Sequence, residues 1–322
     1  NCKETTINQY AITLSKLSDH FNKDNDYLTD DFLNSPQEIF DYLKKRGSAR
    51  STQANILSTI IIYLQSKGKD NEVYRKQKDL LDESIELHYN SGKPTELQID
   101  NWIPLKDIDE MMLKLDRLCD EPLQENASYN ENWTKKEMEQ VRLLFHLLIK
   151  HPSRNEYGCL RFITWRNYKK MMPLEIKDNY ILIRSGKNPR LIISQYKTSK
   201  TYGIKEVEIK DRLLKRLINQ KYKQIGENYL FTYSKQSDEK CWGRNYVSQM
   251  LGKWTHHLIG KRISSTILYK IIIHEIGLSY EQALQKEQWE IAEKMQGVLK
   301  EFAKCRGHSF KTQKKVYLVK NV

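Results

Sequence analysis

The stretch YILIRSGKNPRLIISQYKTSKTYGIKEVEI, residues 180–209 of a 322-residue chain, holds the only convincing strand signals in the sequence. Tyr180–Ile183, Arg190–Gln195 and Lys205–Ile209 are rich in β-branched and aromatic residues, which suit a pleated, half-buried surface. Gly186, Asn188 and Pro189 separate the first two runs and Gly203 precedes the third, so the spacing predicts a three-stranded antiparallel meander. Elsewhere the apolar residues recur at helical intervals. The expected fold is mainly α with one small sheet.

Working back toward the N-terminus, Met138, Val141, Phe145, Leu148 and Ile149 mark a helix that opens on a Thr134/Glu137 capping box and stops before Pro152. Glu121 to Asn132 is polar enough for a loop, and Trp102 to Leu118 reads as a helix. Ser91-Gly92-Lys93-Pro94 is a breaker cluster. It divides the chain into an N-terminal helical domain, residues 1–91, and a larger domain, residues 92–322. In the first, Ile7, Tyr10, Ala11, Leu14, Leu17 and Phe21 form one helical face. Ser35, Pro36 and Glu38 predict a second capping box, and Ile56, Ile60, Tyr63 and Leu64 the buried face of a third helix.

The net charge of +13 is unevenly spread. Residues 1–133 carry 16 basic and 24 acidic side chains, against 38 and 17 in residues 134–322, so the positive excess lies wholly in the second part. Such a field favours a polyanion, and nucleic acid is the commonest one. No apolar run approaches the roughly 18 residues of a membrane span, and the polar start Asn1-Cys2-Lys3-Glu4 carries no sign of a secretory leader. The five cysteines, Cys2, Cys119, Cys159, Cys241 and Cys305, show no CxxC or Cys/His spacing. This predicts neither a zinc site nor a disulfide framework and favours a reducing, intracellular compartment.

The most specific motif is Gly307-His308-Ser309 followed by Tyr317, nine residues beyond the histidine. Upstream stand Pro152-Ser153-Arg154-Asn155-Glu156-Tyr157, directly after a predicted helix, and Tyr196-Lys197-Thr198, between the second and third predicted strands. In this order the motifs resemble those of the tyrosine recombinases (phage-type integrases), particularly the Crypton-like enzymes of eukaryotic mobile elements and large viruses. The resemblance covers residues 92–322 through its motifs. It implies a two-domain clamp on duplex DNA, with a helical core-binding domain in 1–91 and an α+β catalytic domain in 92–322. Members assemble as a synaptic tetramer on DNA and use no cofactor, and a site in the nucleus or wherever viral or mobile-element DNA lies would follow.

The resemblance also implies roles. Tyr317 is the nucleophile that forms a 3′-phosphotyrosyl link, Arg154 clamps the phosphate, His308 is a further donor and Lys197 protonates the leaving 5′ oxygen. These types suit the chemistry, because a phenol, with a pKa of about 10, attacks only a phosphate whose developing charge is met by preorganised donors. The family's second box, His-x-x-Arg, falls on Thr266 and Tyr269, so the second arginine is missing. Lys270, Arg262 or Arg306 could turn inward in its place, and Lys200, Arg262, Lys270 and Arg306 are further candidates for contact with DNA. The gap leaves two readings: a site-specific recombinase that is slow or rewired, or a noncatalytic DNA-binding relative. A type IB topoisomerase, which shares the catalytic residue types, is a third.

Overall fold

A computed structural model of the chain describes residues 4–22, 30–120, 134–171, 176, 178–233 and 240–314. The expected loop at Glu121 to Asn132 and the candidate nucleophile Tyr317 lie outside the described residues. The chain separates into two compact units, Asn1–Ser91 and Gly92–Val322.

The first unit contains α1 (Glu4–Phe21), α2 (Pro36–Lys45), α3 (Arg50–Ser66) and α4 (Glu72–Ser91). Its core gathers Leu17, Leu33, Ile39, Leu43, Ile60, Leu64 and Tyr74. Burying the Tyr74 ring requires a partner for its hydroxyl, which donates to the Leu33 carbonyl at 2.9 Å. The expected apolar face of α1 is only half used: Leu14, Leu17 and Phe21 pack on the core, whereas Ile7 stays exposed. Ser35 stands at the N-cap of α2 with Pro36 at its first position, but its side chain makes no capping bond. Proline removes one of the orphan N–H groups and fixes φ, so that terminus is set without the predicted box.

The second unit runs α5 (Glu96–Asp100), α6 (Leu105–Asp120), α7 (Lys135–Lys150), β1 (Leu160–Thr164), α8 (Trp165–Tyr168), β2 (Asn179–Ile183), β3 (Arg190–Ile193), α9 (Ser199–Tyr202), β4 (Lys205–Glu208), α10 (Arg212–Ile225), α11 (Arg244–Ile259), α12 (Ser265–Gln285), α13 (Trp289–Arg306) and α14 (Phe310–Thr312). The sheet corrects the expectation of three antiparallel strands. It has four, in the order β1-β2-β3-β4, and β1 pairs parallel with β2, Phe162 opposite Ile181. β2–β3 and β3–β4 are antiparallel, with Leu191 opposite both Ile181 and Val207. Strand alternation sends Phe162, Ile181, Leu191 and Ile193 into the main core, and Ile163, Tyr180, Leu182 and Ile192 into a smaller cluster on the other face.

The main core also takes Leu144, Phe145 and Leu148 of α7, Val247, Leu251 and Trp254 of α11, and Leu268 and Ile271 of α12. Thr134 caps α7 by accepting from the Glu137 N–H at 3.2 Å, while the Glu137 carboxylate lies 3.3 Å from Lys253. A reciprocal capping box forms instead at Thr95 and Gln98 on α5.

Cys159 and Cys241 are joined by a disulfide, with Cα atoms 5.1 Å apart across a sequence separation of 82. This departs from the expectation of reduced cysteines. The backbone brings the two together next to Gly158, where a Cβ would collide with the Trp242 carbonyl and lie 2.8 Å from the Val247 side chain. Among the described residues no helix is long and apolar enough to cross a membrane.

Candidate functional site

Four segments of the second unit meet at one place: the loop after α7, the β3–β4 connection, the first turn of α12, and the end of α13 with the turn that follows. Each is held by hydrogen bonds that a local reading of sequence does not reveal. Asn179, at the start of β2, accepts from the Ser194 and Gln195 N–H groups at 2.9 and 2.8 Å and donates to the Glu156 carbonyl at 3.4 Å. It thereby ties the Arg154–Tyr157 loop to the root of the β3–β4 connection. Asn155 donates to Ser248 Oγ at 2.7 Å and accepts from Ser265 Oγ at 2.8 Å, fixing the same loop to α11 and α12. Thr198 closes the circle by donating to the Gly307 carbonyl at 2.7 Å.

Gly307 ends α13 with φ +73°, the left-handed conformation in which glycine is strongly preferred. A side chain here would meet more than strain, because its Cβ would lie 2.7 Å from Lys205 Nζ and 3.0 Å from Thr198 Oγ1. Lys205, the first residue of β4, is only 5% exposed. Its ammonium donates to the Cys305 carbonyl at 3.2 Å and lies 3.5 Å from the centre of the Tyr196 ring. Burial, reinforced by the Arg154 charge and opposed by Glu156, pulls its pKa down to about 8.

His308 is half-buried in the same cluster. Burial first, then the charges of Arg306, Arg154 and Lys205, push its pKa down to about 4, so the imidazole is neutral near pH 7. Its Nε2 is 3.4 Å from the Tyr269 hydroxyl. Three cations thus converge on one neutral histidine. The carboxylate within reach of Lys205 is that of Glu156, which accepts from Ser153 Oγ at 3.0 Å and lies 3.8 Å from Arg244. Arg154 Nη1 is buried and has no hydrogen-bond partner among the described residues. A buried guanidinium N–H without an acceptor is costly, and an anion would satisfy it.

The sequence-predicted residues therefore divide. Arg154, Thr266, Tyr269 and His308 come together. Tyr269 does not face outward as a stand-in donor: it is 1% exposed, and its hydroxyl donates to Gln313 Oε1 at 2.8 Å. Lys197 is exposed on the β3–β4 connection, as is Lys200 on α9. Arg262 is exposed ahead of α12. Lys270 and Arg306, expected to contact DNA, are buried at 7% and 3% exposure, Lys270 donating to Gln98 at 3.2 Å. Successive helical residues point about 100° apart, which turns Lys270 away from Tyr269 and into the packing.

Lys205 is the residue that the sequence reading passed over as a site candidate, counting it only as the start of a strand. The available signal was a lysine in a strand whose neighbours alternate inward. The Arg306 guanidinium, one of the three cations that could turn inward for the missing arginine, is buried. It lies 4.3 Å from the Tyr269 ring centre, occupying space behind the position where the resemblance expected an arginine. No protein-family profile matches the chain, and no curated protein matches it.

Proposed function

We propose that the second unit binds a DNA phosphodiester between Arg154, Lys205 and His308 and transfers the strand to Tyr317, acting as a site-specific recombinase. The single observation that carries this reading is the buried Arg154 Nη1, without a hydrogen-bond partner among the described residues, in a cluster of converging positive charge. Guanidinium is suited to non-bridging phosphate oxygens because its planar fork donates two parallel bonds. The excess of basic residues in 134–322 supports a polyanionic partner.

In the reaction, the Tyr317 oxygen bonds to phosphorus, the bond to the 5′ oxygen breaks, and the phenolic proton is released to solvent. The leaving oxygen takes a proton from a general acid. Lys205 suits this role better than Lys197, because a pKa of about 8 lets it give up a proton near neutrality. The glycine at 307 leaves room for its ammonium, which a Cβ there would approach to 2.7 Å. Lys197 and Lys200, on the exposed connection, then serve as contacts to the backbone of the duplex. A binding-only protein is the competing reading, favoured by the tyrosine at 269.

A randomised library of nicked duplexes, incubated with the full chain and then denatured, tests the proposal without knowledge of the target sequence. Recovery of DNA covalently bound to the protein is expected, with loss of at least a hundredfold in Arg154→Ala. Salt-sensitive binding with no covalent product would support the binding-only reading.

A further inference from the structure

The second charged clamp that the resemblance calls for is absent at 269, but a guanidinium sits one layer behind. Arg306 Nη1 donates to the carbonyls of Ser153 at 2.9 Å and Ser265 at 3.3 Å, and Nη2 donates to Thr266 Oγ1 at 3.0 Å. The plane lies against the Tyr269 ring. Buried, with Nη1 engaged by the Ser153 and Ser265 carbonyls and Nη2 by Thr266, Arg306 acts from behind the site and not on a phosphate itself. Thr266, in the first turn of α12, is exposed, and Arg306 links its hydroxyl to the carbonyl of Ser153, the residue before Arg154.

A hydroxyl has one proton and two acceptor lone pairs. When its oxygen accepts from a guanidinium, the proton is left to donate elsewhere, and the positive donor strengthens that donation. We propose that Thr266 is a phosphate-contacting hydroxyl of this site and that Arg306 is its positioning residue, relaying through Thr266 the positive charge that an arginine at 269 would have applied directly. The inference rests on the phosphodiester reading of the site. It assigns a role to Arg306 beyond packing: the same guanidinium that holds the Ser153 carbonyl, next to Arg154, also orients the second donor, so the two contacts are built on one support.

The test uses the full chain and inorganic phosphate as probe, followed by phosphorus NMR, with circular dichroism confirming that each variant is folded. Thr266→Val removes the hydroxyl at constant shape and is expected to weaken phosphate binding about tenfold. Thr266→Ser restores the hydroxyl and is expected to bind within about twofold of the unaltered chain. The phosphorus chemical shift of the bound probe at saturation, which a hydroxyl touching the phosphate moves and a purely structural one does not, is expected to differ between Thr266→Val and the unaltered chain. Arg306→Lys, which loses the fork, is expected to weaken binding like Thr266→Val, and its effect is expected to vanish when both changes are combined. Unchanged affinity in Thr266→Val, or equal loss in the Val and Ser variants, overturns the inference while Arg154→Ala still abolishes binding. Unchanged affinity in Arg154→Ala overturns the phosphodiester reading itself.

Discussion

Lys205 and His308 set the pH behaviour of the site. The lysine has a folded pKa of about 8 against 10.5 for an ordinary lysine. Phosphate binding and transfer that need its ammonium are therefore expected to fall as pH rises through about 8, and Lys205→Met is expected to flatten that limb of the profile; an unchanged limb in the variant would remove Lys205 from the role. For the same lysine the unfolded chain holds more protons than the folded one between about 8 and 10.5, so its cost to stability is relieved, not increased, as pH rises through that window. His308 moves from 6.5 to about 4. Its folded form resists protonation, so stability is expected to decline as pH falls from 6.5 toward 4, and urea midpoints at pH 7 and pH 5 measure it. Tyr269→Arg would press a second guanidinium against Arg306 in a buried place. We expect a loss of about 3 kcal/mol rather than a gain in activity, read as a lowered urea midpoint. Arg154, His308 and the 266/269 box were legible as motifs. Lys205 and the Arg306 support were not, because both depend on residues a hundred or more positions apart meeting at Gly307 and Ser153.

Among the elements, strands with turn residues between them were readable in place: β2, β3 and β4 begin within a residue of the predicted runs. β1 was missed because Leu160–Thr164 stands apart from the turn-punctuated meander and pairs parallel with β2, so that its partner is not its neighbour in a hairpin. Caps were readable as residue types but not as bonds, as Ser35 shows. The α6–α7 pair has a buried charge cluster that periodicity could not suggest. Arg142 Nε donates to Asp116 at 2.6 Å and Nη1 to Asp120 at 2.8 Å, with His146 3.0 Å from Asp116. Burial pushes the Asp116 carboxyl up, but His146 and Arg142 outweigh it and hold it below its ordinary value. That contribution is present above about pH 4 and is lost as pH falls further. Arg142→Ala removes the guanidinium that Asp116 and Asp120 share, leaving Asp116 with His146 alone, and is expected to cost about 3 kcal/mol, again read from the urea midpoint. A loss under about 0.5 kcal/mol would mean that the cluster behaves as an exposed pair.

On the scale of the whole chain, the boundary after Ser91 falls at the Ser91-Gly92-Lys93-Pro94 breaker cluster, and the charge asymmetry supports the proposal that the second unit binds a polyanion. The disulfide was illegible because an odd number of scattered cysteines gives no pairing rule. Peptide mapping after alkylation in denaturant is expected to label Cys119 and Cys305 at once, and Cys159 and Cys241 only after reduction. Immediate labelling of all four would refute the cross-link. The proposal of strand transfer to Tyr317 from a phosphate held by Arg154 is checked by mapping the covalent adduct formed with the nicked duplex library. The expected product is a nucleotide-bearing peptide that contains Tyr317, with no adduct at all in Tyr317→Phe. An adduct that persists in the Phe variant, or maps to another residue, would contradict it.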